Sequence, residues 1–369
     1  MRLLVAGGGT GGHVTPIVAV IKAFQAMDPQ AEILWLGQKK SLEEKFAKNN
    51  NISFKTIPAG KVRRYFSLRN IVDLIRAPFG VMSAWFKIGG FKPDVVFGKG
   101  GYVSYPVGLA ANLRGVPLVI HESDSVPGAA NQRLAGRAAA IAVAYDEAKP
   151  YFTATEQERI FITGNPLRPE IYDGNRERGL QEFGLSADKP VLFITGGSQG
   201  AQALNDAIAA ILPNILEFTQ VIHQVGEKNI AQFTELGQQY YETGYRAYPF
   251  IDKQMADAYA SASAIISRAS ANTLSEISAW QIPAIIIPLP TAARDHQRQN
   301  ALVYGTRKAA IVLEQENLIP RFFLQKINEV MSSQELRDEL KNNIANLYQP
   351  EAANLIAKKL WEVGQINSA

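Results

Sequence analysis

The chain has 369 residues, 47% of them apolar, with 38 basic and 34 acidic residues and no cysteine. That length fits about two domains with sizeable cores, and the lack of thiols excludes disulfides, zinc–thiolate centres and thiol catalysis. A net charge of +4 and four histidines in all argue against a nucleic-acid binder and a His-rich metal site.

Residues 1–165 carry 20 basic and 12 acidic side chains, so the first half suits an anionic surface or substrate. Met1 runs straight into an apolar strand, so no signal peptide is expected, and no apolar run reaches the roughly 18–20 residues of a spanning helix. A cytoplasmic protein, soluble or peripheral, is expected.

The first strand, Leu3–Ala6, feeds the loop Gly7-Gly8-Gly9-Thr10-Gly11-Gly12-His13. Ile17, Val18, Val20, Ile21 and Phe24 then mark the apolar face of a helix. Strand, glycine loop and helix in that order open a nucleotide-binding α/β unit. The glycines let backbone N–H groups approach an anion, and the helix start adds partial positive charge. Gly7, Gly9 and Gly12 also fit a dinucleotide fingerprint by spacing. His13 is the unusual member: a dinucleotide loop has no use for an imidazole there, whereas a proton-transfer site does.

Strands at Ile33–Leu36, Val95–Phe97, Leu118–Ile120, Ala140–Val143 and Arg159–Ile162 alternate with helical segments, which predicts a doubly wound parallel sheet. Between them, residues 61–92 interleave Lys61, Arg63, Arg64, Arg69, Arg76, Lys87 and Lys92 with large apolar residues. This reads as an interfacial membrane patch, with half or more of the apolar residues serving as core. A second glycine loop, Gly98-Lys99-Gly100-Gly101, follows the Val95–Phe97 strand and could cradle a pyrophosphate with backbone donors or serve only as a turn. After Leu118–Ile120 comes His121-Glu122-Ser123-Asp124, polar residues expected to face a cleft. The alternative is a cap for the next helix by Asp124 or Ser125.

Gly164-Asn165-Pro166-Leu167-Arg168-Pro169 breaks the pattern as an interdomain linker. The scheme then restarts with Val191–Thr195, the loop Gly196-Gly197-Ser198-Gln199-Gly200-Ala201 and a helix. Strands follow at Val221–Val225, Ala264–Ser267 and Ala284–Pro288. Expected domains are 1–164, joined by the helix at 350–369, and 165–349. Two such domains in tandem imply a cleft holding two substrates.

Small residues from Ser267 to Ser275 open a helix where backbone N–H groups can meet a phosphate. Glu276, about one turn inside, can accept both hydrogens of a ribose diol or merely complement the helix dipole. The amides of Asp295-His296-Gln297-Arg298-Gln299-Asn300 suit sugar hydroxyls and an acetamido group.

Taken in order, GGGTGGHVTP, GKGGYVSYP, HES-VPG, GNPLRP, GGSQGA, the segment ending Leu274-Ser275-Glu276 and DHQ-QNA resemble the MurG family of peripheral glycosyltransferases across essentially the whole chain. The resemblance implies a GT-B architecture of two Rossmann-like domains and no bound metal or other cofactor. It implies inverting transfer of N-acetylglucosamine from UDP-N-acetylglucosamine to undecaprenyl-pyrophosphoryl-N-acetylmuramoyl-pentapeptide at the cytoplasmic face of the membrane, in peptidoglycan synthesis. It places Ser198 by the donor diphosphate with Ala271, Asn272, Thr273, Leu274, Ser275 and Glu276 around it, Glu276 on the ribose and the Ile251 backbone on uracil. Gln297 would bind sugar hydroxyls and Arg168 would touch the donor, with Thr10, Gly11 and Gly12 closing over it from the first domain. The Gly100-Gly101 loop would hold the lipid pyrophosphate, and His13 is the expected base.

Two departures stand out. Ser123-Asp124 replaces the family's glutamine-asparagine, and Asp124 can accept a sugar hydroxyl but cannot donate as an amide does. Ala269-Ser270 replaces its serine-glycine. A nicotinamide dehydrogenase is the first rival, yet Leu36-Gly37-Gln38-Lys39-Lys40 ends the second strand without the acidic residue it needs. A UDP-sugar epimerase of the same architecture, a transferase with another lipid acceptor such as diacylglycerol, and a non-catalytic sugar-nucleotide module are the others.

Overall fold

Near-continuous apolar runs form the central strands of two parallel sheets in a computed structural model that describes residues 1–9, 11–60, 68–197 and 200–368. Side chains at 68–77, 293 and 367–368 fall outside that description, as do the expectations placed on Thr10, Ser198 and residues 61–67. The chain divides into two units, Met1–Arg168 with Gln349–Ala369, and Pro169–Tyr348.

The first unit has β1 (Arg2–Ala6), β2 (Glu32–Gly37), β3 (Ser53–Thr56), β4 (Val95–Gly98), β5 (Leu118–Glu122), β6 (Ala140–Val143) and β7 (Ile160–Ile162). They lie in the order β3-β2-β1-β4-β5-β6-β7, all pairs parallel. Both faces of β1 are buried. Leu3 and Val5 join one apolar cluster, Leu4 and Ala6 the other, as expected of a sheet covered by helices on both sides. The C-terminal helix, Ala352–Ser368, completes the first cluster with Ile356, Ala357 and Leu360. Its Trp361 packs against Phe24 of the helix Gly11–Met27, the ring centroids 6.0 Å apart and the planes tilted by 53°. Full burial of Leu360 alone is worth about 1.5–3 kcal/mol, which ties the end of the chain to its beginning.

The second unit has β8 (Val191–Thr195), β9 (Gln220–Gln224), β10 (Tyr245–Tyr248), β11 (Ala264–Ser267), β12 (Ala284–Ile286) and β13 (Ile311–Val312), in the order β10-β9-β8-β11-β12-β13. β3, β10 and β13 were not expected from the sequence; all three are sheet edges. In each unit the order reverses once, between β1 and β4 and between β8 and β11. Such a reversal opens a crevice at the carboxyl ends of the strands, and the four loops there are those that the sequence singles out.

A buried chain of hydrogen bonds braces the second unit. Tyr245 donates its hydroxyl to His223 Nδ1 (3.0 Å), His223 Nε2 donates to Asn205 Oδ1 (3.1 Å), and Asn205 Nδ2 donates to the Val225 carbonyl (2.9 Å). Every member is satisfied only with a neutral imidazole, and burial pushes His223 down to about 3. A pKa lowered by folding gives stability that is present above the unfolded value of 6.5 and lost as pH falls. Unfolding of this unit in urea should therefore become easier between pH 6.5 and 5, by about 2 kcal/mol from this group. A His223→Gln variant should flatten that slope; a wild-type slope unchanged by the substitution would contradict the assignment.

Candidate active site

At the β1/β4 reversal two glycine loops touch. Gly101 has φ 77°, and a Cβ there would sit 2.5 Å from the Gly8 carbonyl oxygen and 3.2 Å from His13 Cδ2, so only glycine lets the loops meet and the imidazole lie against them. Ser104 braces both, its hydroxyl 2.9 Å from the Ala6 carbonyl and 2.7 Å from that of Gly100. The helix Gly101–Leu113 starts at Gly100 with no side-chain cap, so its first N–H groups stay available to an anion. Gly11 and Gly12 begin the helix Gly11–Met27, with open space at Gly11 and Gly12 exposed; His13 comes next, partly buried.

The segment after β5 differs from expectation. His121, Glu122 and Ser123 are buried and only Asp124 reaches the surface. Glu122 turns inward because its carboxylate gathers the N–H groups of Asp124 (3.0 Å) and Gly128 (2.8 Å) and the Asn131 amide (2.8 Å), closing the turn. His121 Nε2 donates to the Gly164 carbonyl (3.0 Å). Burial, then the Lys99 charge, hold His121 well below the usual histidine range. The next helix, Ala129–Ala135, has Gly128 as its cap, so neither Asp124 nor Ser125 caps it. Arg168, partly buried, ends the first unit.

At the β8/β11 reversal, Gly200 has φ 73° and a Cβ there would strike the Val225 carbonyl at 2.4 Å. The helix Ala271–Trp280 starts at Ser270, whose hydroxyl bonds Thr273 Oγ1 (2.8 Å) rather than capping the helix. The N–H groups of Ala271, Asn272 and Thr273 are thus the donors that this start presents to an anion. Leu274 is fully buried and its N–H donates to Ser270, while Ser275 Oγ donates to the Ala271 carbonyl (2.8 Å). Both stabilise the turn from within.

Glu276 is held by Tyr259, whose hydroxyl donates to its Oε2 at 2.7 Å. Ile251 is buried and donates its N–H to Gln224 Oε1 (2.9 Å), which leaves its carbonyl as the remaining backbone group. Gln224 in turn donates to Thr195 Oγ1 (3.0 Å), which also accepts the Gly197 N–H (3.1 Å). Gln297 Oε1 accepts the Leu289 N–H (3.0 Å), fixing the orientation of its amide. Its neighbours are spent otherwise: Asn300 is buried and donates to Ala269, and Arg298 makes a two-pronged pair with Glu314, both contacts 3.0 Å. Tyr259, Gln224 and Thr195 are supports that the sequence reading did not single out. Among the described residues no three His, Asp or Glu side chains gather as a metal site.

Two doubly wound sheets, each with uncapped helix starts at its reversal point, have the GT-B architecture, and the glycosyltransferase class follows from the family match. Residues 3–143 match the N-terminal domain of glycosyltransferase family 28, and residues 191–359 match its C-terminal domain. A relative from Legionella pneumophila (strain Paris), the UDP-N-acetylglucosamine–N-acetylmuramyl-(pentapeptide) pyrophosphoryl-undecaprenol N-acetylglucosamine transferase, is 35% identical over 99% of this chain and 98% of its own. The crystal structure of Acinetobacter baumannii MurG is 29% identical, covers 98% of this chain and 99% of its own, and superposes with a TM-score of 0.76. The chain belongs to the MurG family. UDP-GlcNAc 2-epimerase from Neisseria meningitidis shares the fold alone, with a TM-score of 0.72 at 14% identity, 98% of this chain and 100% of the epimerase being covered.

Proposed function

We propose that the chain transfers N-acetylglucosamine from UDP-N-acetylglucosamine to the 4-hydroxyl of undecaprenyl-pyrophosphoryl-N-acetylmuramoyl-pentapeptide. Full-length identity of 35% to a transferase of that name carries the reading, and it disfavours the epimerase, which shares only the fold. In this reading the second unit takes the donor. The Ala271–Thr273 N–H groups meet the diphosphate, Glu276 accepts the ribose diol, the Ile251 carbonyl accepts uracil N3–H, and the Gln297 amide meets sugar hydroxyls. The first unit takes the lipid pyrophosphate at Gly100-Gly101.

The acceptor hydroxyl forms a bond to the anomeric carbon as the bond to UDP breaks, inverting that centre. His13 removes the hydroxyl proton, and the helix start carries the charge that grows on departing UDP. An assay of UDP release tests the reading. Release should depend on adding the lipid-linked muramoyl acceptor; equal release without it, or with a diacylglycerol acceptor only, would contradict it.

We further infer that the helix Leu68–Phe91 rests on an anionic membrane surface. Val81, Ala84, Ile88 and Phe91 pack on the core, while Phe79, Met82 and Phe86 are 54%, 52% and 63% exposed. Trp85 lies under the Arg114 guanidinium at 3.5 Å, which brings a cation beside the apolar group. Among the described residues no helix is long and apolar enough to cross a membrane. Sedimentation with anionic vesicles at low salt should be strong for the wild type, and several-fold weaker for Phe79→Glu/Phe86→Glu. Equal sedimentation of the two proteins would count against this surface.

A further inference from the structure

β8, β9 and β10 end abreast. The register sets Thr195 beside Gln224 and Gln224 beside Tyr248, each the last residue of its strand. Gln224 therefore stands between two loops, the glycine loop that leaves β8 and the segment Pro249-Phe250-Ile251 that leaves β10. Its side chain is buried and reaches both. Oε1 accepts the Ile251 N–H at 2.9 Å, and Nε2 donates to Thr195 Oγ1 at 3.0 Å. Thr195 Oγ1 also accepts the Gly197 N–H at 3.1 Å, so one chain of bonds runs from the base of the glycine loop to Ile251. The backbone just past Gln224 supports the same loop, since Gly200 lies too close to the Val225 carbonyl for any side chain.

The position calls for a long primary amide. It accepts from a backbone N–H on one side and donates to a hydroxyl on the other. Methionine would fill the volume and leave the Ile251 N–H unpaired, and glutamate would bury a charge. What the amide controls is the Ile251 carbonyl. On one side of it the residue's own N–H is tied to Gln224. On the other the chain turns at once into the helix Met255–Ser261, the Met255 N–H donating to the Asp252 carbonyl at 3.2 Å. A carbonyl fixed between two anchored points sorts pyrimidines at N3. Uracil carries a hydrogen there and donates it, whereas cytosine presents a lone pair and is repelled. A hydrogen bond that only one of two similar ligands can make discriminates more sharply than shape does.

We infer that Gln224 is a positioning residue for base selectivity: its amide holds the Ile251 backbone in register with the loop after β8, so that the site accepts a uridine diphosphate and refuses a cytidine diphosphate. This rests on the donor reading above, which puts uracil at the Ile251 carbonyl.

The test is a calorimetric titration of the full chain with UDP and with CDP, no acceptor being present. The wild type should bind UDP at least about 10-fold more tightly than CDP. Gln224→Met should weaken UDP binding by about 10-fold and CDP binding by less than about 2-fold, so that the preference collapses. Thr195→Val keeps the branched shape and removes the acceptor of the Gln224 amide, and it should lower the ratio in the same direction. Thr195→Ser keeps the hydroxyl and should hold the ratio at the wild-type value. A structural role alone would weaken both nucleotides together, so a UDP-to-CDP ratio unchanged in Gln224→Met and Thr195→Val overturns the inference. Should Gln224→Met fail to fold, Thr195→Val decides. A protein that transfers no sugar can still pass this test, and one that transfers it can fail. A wild type that binds UDP and CDP alike would overturn the placement of uracil at Ile251 and the inference with it.

Discussion

Replacing His13 by alanine should lower acceptor-dependent kcat by about 10²–10⁴-fold, the usual range for loss of a positioned general base. The imidazole is third in the helix Gly11–Met27 and lies against Gly101, where the two glycine loops of the first unit meet. Its place beside Gly101, in the loop proposed for the lipid pyrophosphate, suits it to the acceptor hydroxyl. UDP affinity should fall far less than turnover, because the contacts proposed for the diphosphate, ribose, uracil and sugar belong to the other unit. A loss of UDP affinity with turnover preserved would make His13 a binding group; full turnover in His13→Ala would remove it from the mechanism.

The second large effect is expected at Glu276. Glu276→Ala should weaken UDP binding by about 10–100-fold, the value of one or two hydrogen bonds to a charged group. The Tyr259 hydroxyl aims this carboxylate, so Tyr259→Phe should act in the same direction by a smaller factor. Preference for UDP over 2′-deoxy-UDP should shrink in both variants, because the carboxylate is assigned to the ribose diol. Calorimetric titration reads all of this without turnover. Unchanged UDP affinity in Glu276→Ala would reject the ribose contact and leave the carboxylate as a partner of Tyr259 alone.

What the sequence revealed, and what it hid, follows from burial. β1, β4, β8 and β11 are central strands with both faces covered, so Leu3–Ala6 or Val191–Thr195 stand out as apolar runs. β3 is Ser53-Phe54-Lys55-Thr56 with one half-buried residue among exposed ones, β10 mixes Tyr245 with Arg246, and β13 is two residues long. β3 and β13 bury little, so they leave little apolar pattern to read, whereas β10 buries Tyr245 and Arg246 but its arginine breaks the apolar run. The glycine loops were legible because Gly101 and Gly200 answer to close contacts that no other residue tolerates.

The supports were hidden because they come from distant parts of the chain. Gln224 reaches Thr195 across 29 positions and Ile251 across 27. Lys99 was obscured for another reason: a lysine after a strand reads as a solvated loop residue, and only the fold shows it sealed from water. In the turn after β5, composition announced polarity but not direction. Glu122 is consumed by the N–H groups of its own loop, which leaves Asp124 alone to face outward.

The most direct test follows the sugar itself. With N-acetylglucosamine labelled in UDP-N-acetylglucosamine and the lipid-linked muramoyl acceptor supplied, the label should move to the lipid, joined to the muramoyl 4-oxygen with the anomeric centre inverted. Label recovered as an epimerised sugar nucleotide, as free sugar, or on the acceptor with its configuration retained would contradict direct displacement by this chain.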